Sequence, residues 1–415
     1  MYTNKLLPIG FMVLCISIYG CFSSVESSQK PQEGTWRFIL NLGEAELPFD
    51  MQLSAGDTAW NAIVVNAEEQ LTIDEIQLAA DSIRIQMPVF NSIFKGELIS
   101  PTQIEGTYQD FSRGLDYEIP FRAIYEDAER FQFPSTEDPQ DFSGRWKVIF
   151  SPGSEEEYPA IGIFDQEDNQ ITGTFLTETG DYRYLDGNVN GEQMRVSAFD
   201  GSHAYLFKAR MTGDTLRGVY YSGIHFKTDW YAVRDDQFQL KDPYELTYLK
   251  AGYESLSFTF PDTDSNMVSL DDPKYQDKVL IVQMMGTWCP NCMDESRFFA
   301  QLYDQYQSQG LEIIALAYER QPGFEDAVTN IQRLRDRFEI DYDILIAGTS
   351  DKLEAAETLP MLNTVISFPT AIFIDKHGEI RKIHTGFYGP GTGDYYSRFV
   401  DETTNFIEKL LNEAS

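Results

Sequence analysis

Two stretches of this chain are copies of one another, and the distance between them limits what the first half can fold into. Gly34-Thr35-Trp36-Arg37-Phe38-Ile39 returns 110 residues later as Gly144-Arg145-Trp146-Lys147-Val148-Ile149. Ile104-Glu105-Gly106-Thr107-Tyr108 returns after 112 residues as Leu216-Arg217-Gly218-Val219-Tyr220, and Phe94-Lys95 is answered by Phe207-Lys208. A near-constant offset along the whole length marks a duplicated folding unit. The copies span 34–126 and 141–236. Within them, runs such as Phe49-Asp50-Met51-Gln52-Leu53, Ser82 to Met87 and Tyr117 to Phe121 approach apolar/polar alternation, with turn residues (Gly56-Asp57, Ser100-Pro101) between runs. About eight strands per copy follow from that pattern. The expectation is two small antiparallel barrels or sandwiches, with a single larger sheet system as the alternative. The acidic, proline-containing segment 126–140 reads as the linker. Trp36 and Trp146 each open a strand and are expected to plug the end of a core rather than stack on a ligand. His203 and His225 lack a Cys or His at zinc-ligand spacing, so no metal is expected. For these modules the sequence supports a docking or spacer role.

Past Asp242 the pattern changes to alternating strand and helix, the mark of an α/β unit. Val279-Leu280-Ile281-Val282-Gln283-Met284-Met285 reads as a buried strand. It runs into Gly286-Thr287-Trp288-Cys289-Pro290-Asn291-Cys292 and then a helical stretch, Met293 to Gln309, with Phe298, Phe299, Leu302 and Tyr306 at spacings of three and four. The cysteines therefore fall where a strand hands over to the first turn of a helix. Unpaired amides and the helix dipole favour a thiolate there. Pro290 suits the first helical position, where its missing N–H costs nothing. Cys289 is expected to be the nucleophile and Cys292 the resolving thiol.

The Trp-Cys-Pro-Asn-Cys segment after an apolar strand resembles the active site of the thioredoxin superfamily. Ser367-Phe368-Pro369-Thr370, followed by the strand Ala371 to Asp375, resembles that family's cis-proline loop. The resemblance implies a substrate-backbone site at Pro369, with Phe368, Thr370, Trp288 and Pro290 around it. Within the superfamily the segment 255–413 is similar to TlpA/ResA-type extracytoplasmic thiol–disulfide oxidoreductases. Phe258 to Leu270 resembles their N-terminal hairpin, and Phe324 to Leu362 their central insertion. Those relatives carry a glutamate three residues after the second cysteine; Glu295 matches, and its spacing from Cys292 puts both on one helix face. Thioredoxin's buried aspartate on the central strand is replaced by Gln283, which takes no proton, so Glu295 is the candidate for the proton of Cys292. Glu319, at a strand end, is the rival. Gly386 resembles a glycine that lets the active-site loops pack closely, and His384 is expected to be structural.

The chain has four cysteines in 415 residues, and two of them, Cys15 and Cys21, lie in the leader. One close pair in the mature body is the count of a redox site, not of a stapled fold. Structural zinc needs four ligands, and no second Cys or His pair is suitably placed. Peroxidase chemistry fits poorly because the nucleophile sits in a CxxC pair. No cofactor beyond the cysteine pair is expected. A formal net charge of −34, from 66 acidic against 32 basic residues, argues against nucleic acid as a partner.

Lys5 precedes an apolar run, Leu6 to Gly20, the length of a signal-peptide core and short of the roughly 20 residues of a membrane span. The run ends Ile18-Tyr19-Gly20-Cys21, which is similar to a bacterial lipobox, with Tyr19 larger than the residue usual there. That resemblance implies a signal peptide over 1–20, lipidation of Cys21, and a flexible tether over 21–33. The whole reads as a multidomain protein: two repeated all-β modules, then a thioredoxin-like domain over 250–415. The expected activity is that of a lipid-anchored periplasmic oxidoreductase, mainly a reductase of target-protein disulfides recharged by a membrane thiol-electron donor. An oxidase or isomerase, and a binding lipoprotein with an accessory redox domain, are the alternatives.

Overall fold

A computed structural model of the chain describes Met1 and residues 30–57, 59–126 and 128–414. Cys15, Cys21, the apolar run and most of the tether lie outside the described residues. The last residues assigned to the tether are already part of the first domain. Gln32 N–H donates to Pro101 O at 2.8 Å, and Gln32 O accepts from Trp36 Nε1 at 2.8 Å.

The first copy is a closed antiparallel barrel of eight strands, from Gly34–Asn41 to Glu118–Tyr125, which pair to complete the ring. The second copy closes in the same way between Gly144–Phe150 and Phe226–Arg234, with Tyr158–Glu167 bridging to Gln170–Thr177. Alternation aims Phe38, Phe49, Phe94 and Phe121 into the first interior, and Phe150, Phe175, Phe207 and Tyr220 into the second. Trp36 and Trp146 are fully buried, and Trp146 Nε1 donates to Phe142 O as Trp36 does to Gln32 O. Both are core residues. The repeated glycines are steric: a Cβ on Gly106 would stand 2.0 Å from Lys95 O, and one on Gly218 2.3 Å from Lys208 O.

The copies differ at one strand. Glu69–Ala79 runs unbroken in the first barrel. In the second, the residues 111 positions on separate into a two-residue strand, Gly180–Asp181, and Leu185–Asn190. Between them Arg183 lies in the left-handed region at φ 61°. Gly180–Asp181 pairs back on Leu176-Thr177 as a short hairpin, and Tyr182 turns its ring into the barrel core.

The barrels are joined end to side. Phe199, at the end of Gln193–Phe199, enters the first barrel, its ring centroid 4.5 Å from Phe49, 5.2 Å from Tyr108 and 5.4 Å from Phe94. Asn66 brackets its backbone, donating to Phe199 O at 2.8 Å and accepting from Phe199 N–H at 3.2 Å. The linker is not slack. Arg130 is buried between the barrels, donating to Val65 O at 2.7 Å and Ser197 O at 3.1 Å, and pairs with Asp50 and Asp186.

The C-terminal domain is a five-stranded mixed sheet in the order Asp343–Thr349, Leu311–Glu319, Val279–Met285, Thr370–Ile374, Ile380–Thr385. Val279–Met285 is buried along its whole length, as a continuous apolar run in a doubly covered sheet should be. The hairpin Thr259–Pro261/Met267–Ser269 precedes it, and the helix Phe324–Phe338 and the helix Lys352–Thr358 flank the outer strand. Among the described residues no helix is long and apolar enough to cross a membrane.

Candidate active site

The central strand ends at Met285 and the helix Pro290–Tyr306 begins five residues later, with Cys289 as its N-cap in extended conformation. The cap places Cys289 Sγ 3.2 Å from Cys292 N, so the amide donates to sulfur at the positive end of the helix. Cys289 and Cys292 are joined as a disulfide, their Cα atoms 5.2 Å apart. Cys292 is fully buried and Cys289 nearly so.

The peptide bond between Phe368 and Pro369 is cis, and this loop lies against the cysteines, with Phe368 O 3.5 Å from Cys289 Sγ. Thr370 Oγ1 closes the loop on Ser367 O at 2.9 Å. Phe368 stacks on Tyr318 and meets Trp288 edge-on. Trp288 is fixed by its Nε1–H on Tyr318 O at 2.9 Å, with the Arg320 guanidinium 4.2 Å over its ring. Gly386 N–H donates to Pro369 O at 2.9 Å. The structure thus brings Trp288, Pro290, Phe368, Pro369 and Thr370 together around the cysteine pair.

Glu295 is fully buried beneath them. Its Oε2 accepts from Gln283 Nε2 at 2.8 Å, while Oε1 has no hydrogen-bond partner. Burial pushes its carboxyl up to about 8, opposed only by the Gln283 hydrogen bond. A carboxyl there is poised to hold or release a proton near neutral pH. Glu319 is also buried but is committed elsewhere. It accepts from Thr287 N–H at 2.9 Å and Thr287 Oγ1 at 2.6 Å, which makes it a positioning residue for the turn before Trp288. His384 is buried against Tyr244 and Phe399. His203 lies in the second barrel beside Asp200, and His225 meets Arg113 and Tyr117.

Sequence reasoning missed one group altogether, the residues of the second barrel that pack against this site from outside. Asp181 Oδ2 accepts from Asn291 Nδ2, between the two cysteines, at 3.3 Å and from Gly389 N–H at 2.7 Å. Arg183 pairs with Asp294 on the cysteine helix, with Glu69 of the first barrel and with Asp200. Ser202 Oγ donates to Trp288 O at 3.0 Å. A spacer would leave this face free; the barrels instead pack onto it. The available signal was the departure of Gly180-Asp181-Tyr182-Arg183 from the pattern of the first copy.

A dithiol/disulfide at a helix N-terminus, faced by a cis-proline loop on a thioredoxin-type sheet, defines a thiol–disulfide oxidoreductase of the thioredoxin superfamily. Residues 251–383 match the AhpC/TSA family. The thiol-disulfide oxidoreductase ResA of Halalkalibacterium halodurans is 30% identical over 137 residues, 33% of this chain and 69% of that protein. Its counterpart from Geobacillus thermodenitrificans is 30% identical over 142 residues, 34% of this chain and 73% of the other. The chain belongs to the ResA family of thiol-disulfide oxidoreductases. Among solved structures, a putative thiol:disulfide interchange protein DsbE from Chlorobium tepidum is similar at 16% identity and a TM-score of 0.30, over 40% of this chain and 100% of that one. The family match begins at residue 251 and leaves both barrels outside it.

Proposed function

We propose that this chain is an extracytoplasmic, lipid-anchored reductase of protein disulfides. The observation that carries the reading is the buried Glu295 carboxyl one helical turn beyond Cys292, in a site whose Cys289 caps the helix. Reduced Cys289, as thiolate, attacks one sulfur of a target disulfide; the new mixed disulfide forms as the target's other sulfur leaves as thiolate. Cys292 gives its proton to the Glu295 carboxylate and attacks Cys289 Sγ. The Cys289–Cys292 bond forms, the second target sulfur leaves, and two electrons have passed to the target. Pro369 and its neighbours Phe368, Thr370, Trp288 and Pro290 are assigned to holding the target backbone. A membrane thiol-electron donor restores the dithiol. The anchor rests on Cys21 and the lipobox-like run before it, and the periplasmic address on the same segment.

Equilibration in thiol redox buffers, followed by Trp288 fluorescence, tests the direction. A potential near about −270 mV supports a reductase, and one near about −120 mV makes the chain an oxidant instead. Incorporation of labelled fatty acid that persists in Cys21→Ser would remove the anchor.

A further inference from the structure

The site is closed from outside by the chain's own second barrel. Cys289 is 6% exposed, and Ser367, Phe368, Pro369 and Phe387 are buried. Much of the cover is a single strap, Thr177 to Arg183, built on the hairpin that pairs Thr177 with Gly180. Thr179 O accepts from Ser367 Oγ at 3.0 Å, beside the proline loop, and Tyr388 OH donates to Thr177 O at 2.9 Å. Two glycines face each other across this contact. A Cβ on Gly386 would stand 2.8 Å from the Thr179 carbonyl carbon, and one on Gly180 2.6 Å from Asn291 Nδ2. Gly180 sits at φ 152°, where other residues are strained. The tip of a β-hairpin, Glu178-Thr179, therefore already sits against the proline loop where an incoming polypeptide must pass. On the barrel side Tyr182 packs among Phe175, Phe207 and Tyr220, so the strap moves with its barrel; toward the redox domain its attachments are hydrogen bonds and the Arg183–Asp294 ion pair, the kind of domain contact that separates.

We infer that the strap Thr177 to Arg183 is a specificity element of the active site, which bars disulfides of folded proteins from Cys289 until it is displaced while small disulfides reach the sulfur in the closed chain. The inference rests on the exchange activity proposed above. Arg183 is the latch. Its removal leaves Glu69, Asp200 and Asp294 together without their shared cation, and like charges so placed repel.

The test uses the full-length chain, reduced, as wild type, Arg183→Ala and the milder Tyr388→Phe, which removes only the hydroxyl on Thr177. Loss of the unmodified Cys289 peptide gives the rate of alkylation by N-ethylmaleimide and by a long polyethylene-glycol maleimide. Reduction of hydroxyethyl disulfide and of native ribonuclease A is measured in parallel. Arg183→Ala is expected to speed the bulky maleimide and the ribonuclease reaction about tenfold, with both small reagents within about twofold of wild type. Tyr388→Phe should move the same ratios the same way by about twofold, which keeps the test decisive if Arg183→Ala misfolds. Large-to-small ratios that stay unchanged in both variants, with reduction intact, overturn the strap alone. Alkylation that behaves as expected while neither disulfide is reduced overturns the exchange reading and the specificity role with it.

Discussion

Glu295 and Gln283 face each other in the dry interior under the cysteines, and the pair explains why a carboxyl can serve there without a cation beside it. Gln283 supplies one hydrogen bond, and the second carboxylate oxygen is left bare. With the carboxyl raised from 4.5 to about 8 by burial, the native state holds a proton that the unfolded chain has already released. The associated stability is full below the unfolded value and is lost as pH rises through about 8, at no more than about 1.4 kcal/mol per unit. Glu295→Gln, which keeps the shape and removes the titration, should therefore flatten the fall in urea midpoint between acidic and mildly alkaline pH. In the same variant, exchange should lose its pH-dependent step near 8 and slow by roughly tenfold to a hundredfold. A pH–rate profile identical to wild type would remove Glu295 from proton handling. Cys292→Ser should trap the target as a mixed disulfide on Cys289, visible on a non-reducing gel; release at the wild-type rate would refute the resolving role.

At the level of elements, the barrels depend on close backbone crossings and on a ring borrowed from a neighbour. Gly218→Ala sets a Cβ against the Lys208 carbonyl and should cost about 2–4 kcal/mol of stability in denaturant titration. Gly153→Ala, at a turn with open space around it, should cost about 1 kcal/mol. Equal losses would show that the crossing is not what the glycine serves. Phe199→Ala empties the end of the first barrel and should cost about 3–5 kcal/mol. The alternation that built these walls is local, which is why both barrels could be read from runs such as Phe49 to Leu53. Whereas the proline loop and Glu295 were picked out by the family resemblance, the placement of the cysteine pair could also be read, because strand, turn and helix follow one another directly in the chain. Asp181, Arg183 and Ser202 could not. Their relation to Cys289 arises from docking across a hundred residues, and a charged residue in a turn looks the same whether it faces solvent or another domain. Phe199 was similarly hidden, since alternation assigns a face but not the module on its far side.

Across the whole molecule, buried arginines add to the apolar joints between domains. Arg130→Ala should strand Asp186 between the barrels, with Asp50 kept by Arg37 alone, and lower stability by about 3–5 kcal/mol, read by calorimetry as a fall of the main transition. A loss under about 0.5 kcal/mol would mean that the linker contributes no coupling. The contact of Asp181 with Asn291 reaches further, because Asn291 is one of the two residues spanning the sulfurs. With a strap that is displaced as inferred above, electron transfer at the cysteines and seating of the barrel become linked equilibria, and linkage runs equally both ways. Whatever free energy the seated barrel lends to the disulfide over the dithiol, the disulfide lends to the seating; a tenfold bias corresponds to about 30 mV. On that inference the β half of the chain would be a gauge of its redox state, and the reduction potential of the pair would carry a record of where the barrel sits.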